Sequence, residues 1–469
     1  MTPSSRRRFL QRIASLGLAG AFARTTGVSF AQMAGGSGFG DYKALVCLFL
    51  YGGNDSWNTV VPYSAAEWGA YARSRGAGNP WGLALERDAL LPVSPEGQSG
   101  DAARYGFHPS MAQLRDLFEA GQLALLPNVG PLLRPTTLAQ YREALETGHE
   151  LPPQLYSHND QQEQWQTLRG NRGLNSGWAG RIADILRPGL AGQALPTNIS
   201  LFGQSVFQAG ETESAYTMSS GGVQSLDGLL GGFAFEARRQ RIEAIQQATL
   251  ASGQRSYYER GYARTHQRML KYAELVEQTL AQAPVLSALP DSIPGSASLL
   301  TQMRTVAKMI AMRESLGMSR QIFLVAAGGF DQHDNQMAEQ PGLLAEVSQS
   351  VRAFHDSMQE LGVSEQVTLF TQSDFGRTLT SNGDGSDHGW GGLQMVVGGA
   401  VRGRRMYGEY PLLELGGPLE VGGGIFIPTT ATDQYAATLA RWFGVDESNL
   451  DTVAPYLDRF ATRDLGFMV

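Results

Sequence analysis

The sequence predicts an α/β fold in which a mostly parallel sheet is sandwiched by helices, with a helical insertion. Two observations predict it. Short, continuous apolar runs alternate with helical stretches, and this alternation is typical of parallel sheets that are covered on both faces. The chain of 469 residues is 42% hydrophobic and 17% charged, a composition that allows a sizeable core.

The apolar runs give the strands and the spacing between them gives the helices. The predicted strands are 43–50, 122–130, 321–327, 366–372 and 393–399. Residues 342–362 carry apolar side chains three and four positions apart, which predicts an amphipathic helix. Residues 233–284 have the composition of one or two long polar helices. We therefore predict a single domain over 41–469 with a helical cap inserted at about 211–295.

Residues 1–31 have the features of an export signal. The stretch "SSRRRFLQRIASLGLAGAFA" has the form Ser-Arg-Arg-x-Phe-Leu followed by an Ala/Gly-rich apolar run. It resembles a twin-arginine signal peptide with Arg6 and Arg7 as the paired arginines; the alternative is a basic surface helix. The resemblance implies the twin-arginine export machinery as a partner and a periplasmic or otherwise exported bacterial protein.

Charge and cysteine content exclude several classes of protein. The formal net charge is −7, and no basic block follows the N-terminus, so nucleic acid is not an expected partner. No later apolar run approaches the roughly 20 residues of a membrane span, so we expect no transmembrane anchor in the mature chain. Cys47 is the only cysteine and lies in a predicted strand, which predicts a core residue and excludes an internal disulfide.

Three predicted strands are each followed by a carboxylate: Asp55, Asp331 and Asp374. In open α/β sheets, ligands bind outside the carboxyl ends of the strands, and acids gathered there repel one another unless a cation neutralises them. His333 lies two residues after Asp331, and His388 precedes the last predicted strand. We therefore predict that these five residues bind a divalent metal, with Zn²⁺ or Mn²⁺ favoured and Fe also suited.

Each of these residues also has a purely structural interpretation. Asp55 in "GGND" is typical of a turn, Asp331 can stabilise its Gly-Gly turn, and Asp374 can cap a helix. His388 can be a core histidine. Arg377 in "SDFGRT" can bind a phosphate, sulfate or carboxylate by paired hydrogen bonds, or form a salt bridge to a neighbouring acid.

The candidate nucleophile is Ser157, at the predicted start of a helix in "LYSHNDQQEQWQTL". Helix starts attract anions, so Ser157 would suit attack on phosphorus or sulfur. The alternative is a plain N-cap, since Asp160 three residues later gives a pattern like a capping box. His158 is a further candidate ligand or acid–base group. The remaining histidines are predicted to be structural (His108) or at the surface (His149, His266 and His355).

Several segments together resemble a bacterial family of exported proteins catalogued as a domain of unknown function, number fifteen hundred and one. They are "KALVCLFLYGGNDSWNTVVP", "FHPSMAQLRDLFEAGQLALLPNVG", "YSHNDQQEQWQT", "GWAGRIAD", "GGFDQHDNQ", "TQSDFGRT", "DHGWGGLQMVVGGAVRG" and "YAATLARWFGV". The resemblance extends from about Tyr42 to the C-terminus. That family is similar in layout to the alkaline phosphatase and sulfatase superfamily, which implies an alkaline phosphatase-like fold.

The resemblance also implies roles for individual residues. By order along the chain these are Asp55 as the first strand-end ligand, Ser157 as the nucleophile, Asp331 with His333 as an Asp/His pair, Asp374 as the later acid and His388 as the closing histidine. The chain departs from the phosphatase pattern at Phe375, where a ligand histidine is expected, and in the tighter spacing of Asp331 and His333. The sequence has no modified-cysteine sulfatase signature.

These observations predict an exported, metal-dependent hydrolase of phosphate or sulfate esters that acts on a small anionic ester, with Ser157 and Arg377 as catalytic residues. The alternative is a non-catalytic periplasmic binding or assembly protein that retains the fold. An enzyme that modifies carbohydrate or cell wall is a third possibility, because the predicted insertion carries no motif that identifies a substrate.

Overall fold

The computed structural model describes residues 38–97, 104–223, 235–252, 256–292 and 298–469. Its strands are β1 (Lys43–Leu50), β2 (Val60–Pro62), β3 (Leu91–Val93), β4 (Tyr105–Phe107), β5 (Leu123–Gly130), β6 (Asn198–Ser200), β7 (Tyr216–Thr217), β8 (Arg320–Ala327), β9 (Val367–Ser373), β10 (Arg377–Ser381), β11 (Ser386–His388), β12 (Gly392–Gly398) and β13 (Thr430–Ala431). Its α-helices are α1 (Ser56–Thr59), α2 (Ala65–Ser74), α3 (Ala112–Glu119), α4 (Leu138–Arg142), α5 (Ala144–Thr147), α6 (His158–Thr167), α7 (Trp178–Leu186), α8 (Phe235–Ala251), α9 (Tyr257–Gln282), α10 (Ser298–Ala311), α11 (Gln336–Glu360), α12 (Thr432–Phe443) and α13 (Leu450–Val453).

An eight-stranded sheet in the order β13-β5-β12-β9-β1-β8-β6-β7 forms the centre of the fold. Every neighbouring pair is parallel except the two that involve β12, which runs antiparallel to β5 and to β9. The predicted α/β class with a mostly parallel sheet is confirmed, and each of the five predicted strands is present within one residue of its predicted bounds. The carboxyl ends of β1, β8 and β9 therefore meet at one edge of the sheet.

Both faces of the sheet are covered by helices. In β1, Ala44, Val46 and Leu48 pack in one cluster with side chains from α3, α10 and α11. The alternate residues Leu45 and Cys47 pack in a second cluster with side chains from α7 and α12. All five are fully buried, and burial of each large aliphatic side chain is worth about 1.5–3 kcal/mol. The prediction that Cys47 is a core residue is thus confirmed.

Helix α11 begins six residues before its predicted start. The predicted bounds rest on apolar side chains three and four positions apart, whereas the structure extends α11 through Pro341 to Gln336. The first amide of the helix, on Gln336, is satisfied by the carbonyl of Asp384 at 3.0 Å. The helix also packs against α10 and α3, so that His355 is only 3% exposed and its predicted surface position is wrong.

The other histidines outside the sheet edge follow the sequence analysis. His108 is buried, and its Nδ1 accepts a hydrogen bond from the amide of Ser110 at 3.1 Å. Burial lowers the pKa of His108 to about 4, which fits the predicted structural role. His149 and His266 are partly exposed.

The predicted insertion contains two helices, α8 and α9. Arg239 Nη2 bonds Glu274 at 2.9 Å, and Gln246 contacts His266, so the two helices run in opposite directions against each other. Whether this stretch acts as a cap stays a prediction. None of the described helices has both the length and the apolar character needed to cross a bilayer. The predicted signal, residues 1–31 with Arg6 and Arg7, lies outside the described residues.

The loops that follow β1 and β8 approach each other closely at Gly52. This residue has φ +114°, and a Cβ placed on it would lie 2.3 Å from the backbone nitrogen of Asp331. Only glycine fits here, because the position combines a left-handed backbone with a backbone contact on its open side. The close approach fixes the start of the loop that carries Asp331.

We expect Gly52→Ala to lower the free energy of unfolding more than Gly78→Ala does, in chemical denaturation of the two variants. Gly78 has φ +80°, and a Cβ added to it would meet open space, so its substitution tests backbone strain alone, at about 1–2 kcal/mol. The excess loss in Gly52→Ala measures the contact with the Asp331 loop. Equal losses in both variants would show that this contact contributes nothing.

Candidate metal centre

Three histidine rings converge on Asp331 at the carboxyl edge of the sheet. His158 is the first residue of α6, Asp331 and His333 lie in the loop after β8, and His388 ends β11. We call these four residues the histidine–aspartate cluster. They come from three separate stretches of the chain, which the sheet and the β10–β11 hairpin bring together.

The distances within the histidine–aspartate cluster are short. The Nε2 atoms of His333 and His388 are 2.9 Å apart. Asp331 Oδ1 lies 3.1 Å from Nε2 of His333 and 3.4 Å from Nε2 of His388, while Asp331 Oδ2 lies 3.3 Å from Nε2 of His158. The candidate ligand atoms of His158, Asp331 and His388 all lie within 4.8 Å of one another.

The opposite nitrogen of each ring, Nδ1, contacts an oxygen that accepts hydrogen bonds. The three acceptors are Asp374 Oδ2 for His158 at 2.6 Å, Asp387 Oδ1 for His333 at 3.1 Å, and the carbonyl oxygen of Tyr156 for His388 at 2.8 Å. A carboxylate or carbonyl oxygen has no proton to give, so each Nδ1 is the donor and each neutral ring has its lone pair on Nε2. All three lone pairs therefore belong to nitrogens of the cluster. Metal-binding histidines have this arrangement.

A cation fits this set of side chains. Two unprotonated nitrogens 2.9 Å apart repel each other, and without a cation one ring would have to be an imidazolium. Burial lowers the pKa of His388, and the charge of Arg377 lowers it further. Nε2 of His158 is buried without a hydrogen-bond partner. Nitrogen and oxygen ligands lie about 2.0–2.1 Å from a tetrahedral Zn²⁺, which separates the ligand atoms from one another by roughly 3.3 Å. The distances of 2.9–3.4 Å between the nitrogen and oxygen atoms given above are close to that value.

Arg377 is engaged by the protein and is not a free anion-binding residue. Its side chain is 1% exposed. The guanidinium donates to Asp331 Oδ1 at 2.7 Å, to the Gly52 carbonyl at 3.1 Å, and to the carbonyl of Ser386. The predicted catalytic contact with substrate therefore needs correction: the hairpin β10–β11 buries Arg377 beneath the site. Burial alone would raise the pKa of Asp331, but its hydrogen bond and ion pair with Arg377 hold that pKa below its ordinary value.

The structure does not bring Asp55 into the histidine–aspartate cluster, although we predicted it as a ligand. Its carboxylate forms a two-fold ion pair with Arg75, at 2.7 and 2.5 Å, and both side chains are almost fully buried. Asp55 Oδ1 also accepts the amide of Trp57 at 3.1 Å as the N-cap of α1. The turn after β1 runs directly into α1, so its capping acid points toward α2.

Asp374 reaches the cluster through His158. It is completely buried, and besides His158 it accepts hydrogen bonds from Gln162 Nε2 at 2.8 Å and from the Gly52 amide at 3.2 Å. Both carboxylate oxygens are thus occupied by donors. The position predicted for a ligand holds a residue that fixes the ring of His158.

Phe375 lies under the cluster where the phosphatase pattern has a histidine. Its ring centroid is 4.8 Å from that of His158 and 4.6 Å from that of His388. A Cβ on Gly53 would lie 2.4 Å from the same ring, so the turn after β1 needs glycine to admit it. Phe375 supports two imidazoles and provides no nitrogen for a second metal.

Ser157 is the N-cap residue of α6, between two residues that contact the cluster. Its hydroxyl donates to Asp160 Oδ2 at 2.7 Å and does not cap the backbone of the helix. The preceding residue, Tyr156, has φ +73°, a conformation that L-residues rarely adopt. This backbone conformation accompanies the hydrogen bond from His388 to the Tyr156 carbonyl, so Tyr156 contributes through its main chain.

The sequence indicates His158 only as a further candidate ligand or acid–base group, and it does not indicate Asp387 or Tyr156 at all. Asp387 directly precedes His388 and carried no separate signal. Tyr156 acts through its carbonyl group, which every residue has, so no side-chain pattern reveals it.

Comparisons with solved structures return matches of low sequence identity. The structure titled "Crystal structure of Ps i-CgsB in complex with k-i-k-neocarrahexaose" has a TM-score of 0.33 and 10% sequence identity, and the match covers 90% of this chain and 75% of that one. The PsFucS1 sulfatase from Pseudoalteromonas sp. has a TM-score of 0.31 and 12% identity, with 96% and 73% covered.

Sequence comparison gives a family. No curated protein matches the chain significantly by sequence. Residues 42–450 match the family described as "Protein of unknown function (DUF1501)", nearly the whole of the stretch over which the resemblance was expected. The chain belongs to the DUF1501 family.

Proposed function

We propose that this chain is an exported, metal-dependent hydrolase of phosphate or sulfate esters. The observation that supports it most directly is the convergence of three histidine Nε2 atoms on Asp331, with every Nδ1 held by an acceptor. A sheet edge with such a set of donors suits a divalent cation. The proposed ligands are His158, Asp331, His333 and His388, and the proposed metal is Zn²⁺ or Mn²⁺.

A bound metal would act as a Lewis acid that polarises the ester oxygens and lowers the pKa of a nucleophilic hydroxyl or water. The protein side chains would keep the site rigid. Asp374 and Asp387 each hold one ring through Nδ1, and Arg377 holds Asp331. Such outer partners typically alter metal affinity or activity by about 10–100-fold when they are removed.

Ser157 is the proposed nucleophile. Its oxygen would attack phosphorus or sulfur and its proton would pass to Asp160, 2.7 Å away, while the bond to the ester oxygen breaks and the alkoxide departs and takes a proton from water. Water would then cleave the seryl ester and release the inorganic anion. The start of the ten-residue helix α6 would favour the negative charge on the transferred group.

A non-catalytic binding or assembly protein is the second candidate. The observation in its favour is that Asp331 already has a cationic partner in Arg377, at 2.7 Å. If that ion pair and protonated histidines balance the charge of the cluster, then the fold would serve binding alone. Metal content separates the two candidates.

We expect Asp331→Ala and His388→Ala each to reduce the metal content of the purified protein to well below one equivalent, because each removes a proposed ligand. Elemental analysis of protein isolated from its export compartment provides the measurement. His149→Ala is the matched control, since His149 bonds Thr136 at 2.9 Å in a different part of the chain. Full metal content in both ligand variants would contradict the proposed site.

We expect Ser157→Ala to abolish hydrolysis of an aryl phosphate or aryl sulfate while the metal content stays unchanged. Because the Ser157 hydroxyl makes no capping bond to the backbone, the stability cost should be about 1 kcal/mol or less. The measurements are steady-state turnover and the thermal unfolding midpoint. Turnover at the wild-type rate would identify a different nucleophile, such as water.

For the export proposal, we expect the double variant Arg6→Lys/Arg7→Lys to accumulate in the cytoplasm. The paired arginines are the feature that resembles the twin-arginine signal. Cell fractionation with immunodetection would measure the exported share. The control is Arg24→Lys, which changes an arginine of the same segment outside the pair; equal export of both variants would contradict the proposed route.

A further inference from the structure

A pocket of about 340 Å³ is formed mainly by the segment that follows β5. It is lined by Arg134, Pro135, Gln140, His149 and Arg459. Strand β5 is parallel to β9, because both run antiparallel to β12. The segment after β5 therefore leaves the sheet at the same edge as the strands that carry the histidine–aspartate cluster.

The pocket has a local excess of positive charge. Arg134 and Arg459 both bond the same oxygen of Glu150, at 2.5 and 2.7 Å. Arg172 and Arg459 both lie over the ring of Tyr456, at 4.6 and 4.7 Å from its centroid. Two guanidinium groups thus share a single carboxylate, and a third, that of Arg172, contacts the same tyrosine ring as Arg459, in a chain whose formal net charge is −7. We call Arg134, Arg172 and Arg459 the arginine group.

The arginine group has hydrogen-bonding capacity that the protein leaves unused. In the hydrogen bonds formed among the described residues, Arg134 uses Nη2 and Arg459 uses Nη1, and the two side chains are 41% and 27% exposed. Burial, followed by the charge of Arg134, lowers the pKa of His149, so this imidazole can accept or donate without adding charge. A guanidinium with free donors suits a tetrahedral oxyanion, which accepts two parallel hydrogen bonds.

A short series of contacts connects this pocket to the proposed metal centre. Gln140 of the pocket precedes Tyr141, whose hydroxyl lies 2.8 Å from that of Tyr156. The carbonyl of Tyr156 in turn bonds the ring of His388. A ligand with several anionic groups along its length could therefore occupy both places.

We propose that the arginine group is a second anion-binding site, which takes a sulfate or phosphate group of a ligand that carries several such groups. That this ligand is the substrate rests on the proposed hydrolase function, and the substrate class would then be polyanionic esters. The binding of an anion by the arginine group does not depend on hydrolysis, so it can be tested in protein that shows no turnover.

Glu150 makes the proposal testable in two directions. Its carboxylate holds two of the three guanidiniums, so it competes with an incoming anion for the same donors. A purely structural ion-pair network would lose stability without Glu150 and would bind nothing more tightly. An anion site would instead gain affinity when Glu150 is neutralised.

The experiment is isothermal titration calorimetry of the full-length, metal-containing protein with dextran sulfate at low salt, with polyphosphate and neutral dextran as further probes. The test variants are Glu150→Gln and the double variant Arg134→Gln/Arg172→Gln, which leaves Arg459 with Glu150. The matched control is Arg405→Gln, a surface arginine with one glutamate partner, Glu96, at 3.4 Å. Ser157→Ala serves as the protein without proposed turnover.

We expect the double variant to bind the polyanion about tenfold or more weakly, as the loss of charge-assisted hydrogen bonds implies, and Glu150→Gln to bind it more tightly. Arg405→Gln should match the wild type. Tighter binding of dextran sulfate than of polyphosphate indicates a sulfated ligand, and the reverse order a phosphorylated one. No binding by the wild type, equal binding of neutral dextran, or equal affinity in the double variant would overturn the proposal.

Discussion

The site depends on one electrostatic constraint: three imidazole lone pairs and a carboxylate are held within a few ångströms of one another. The Nδ1 hydrogen bonds fix where each lone pair lies, and burial disfavours the protonation that would otherwise relieve the repulsion at His388. A cation bound between the three nitrogens and the carboxylate would remove this repulsion and stabilise the cluster. The hydrogen bonds to the three Nδ1 atoms hold the rings in place, and the bond from Arg377 holds Asp331.

The fold supplies the rigidity that this constraint requires. Parallel strands β1, β8 and β9 end at one edge, and the turns after them approach through glycines that admit Asp331 and Phe375. The hairpin β10–β11 then brings His388 and Arg377 to the same place, where they are register partners. His158 and His388 thus stand at the ends of regular elements, and Asp331 and His333 lie in the loop directly after β8, so their positions follow from packing in the core.

The sequence predicts most of the fold and part of the site, and the division has physical reasons. Apolar runs bounded by glycine give strands such as β1 within one residue, because burial on both faces leaves a continuous pattern. The position of Asp331 and His333 follows from parallel topology, whereas His388 reaches the same edge because β12, which follows it, runs antiparallel to β9. The role of Asp55 does not follow from the sequence, because its ion pair with Arg75 leaves no local pattern. For Arg377 the sequence allows either anion binding or a salt bridge, and the structure has the salt bridge, to Asp331. His158 depends on how α6 is placed over the sheet, which spacing alone does not specify.

The most direct test of the account is anomalous X-ray diffraction from crystals of the protein purified from its export compartment, measured on both sides of the metal absorption edge. The account predicts one anomalous peak about 2.0–2.2 Å from Nε2 of His158, His333 and His388 and from a carboxylate oxygen of Asp331. A well-ordered cluster without such a peak, or a peak bound through Asp55 instead, would contradict it.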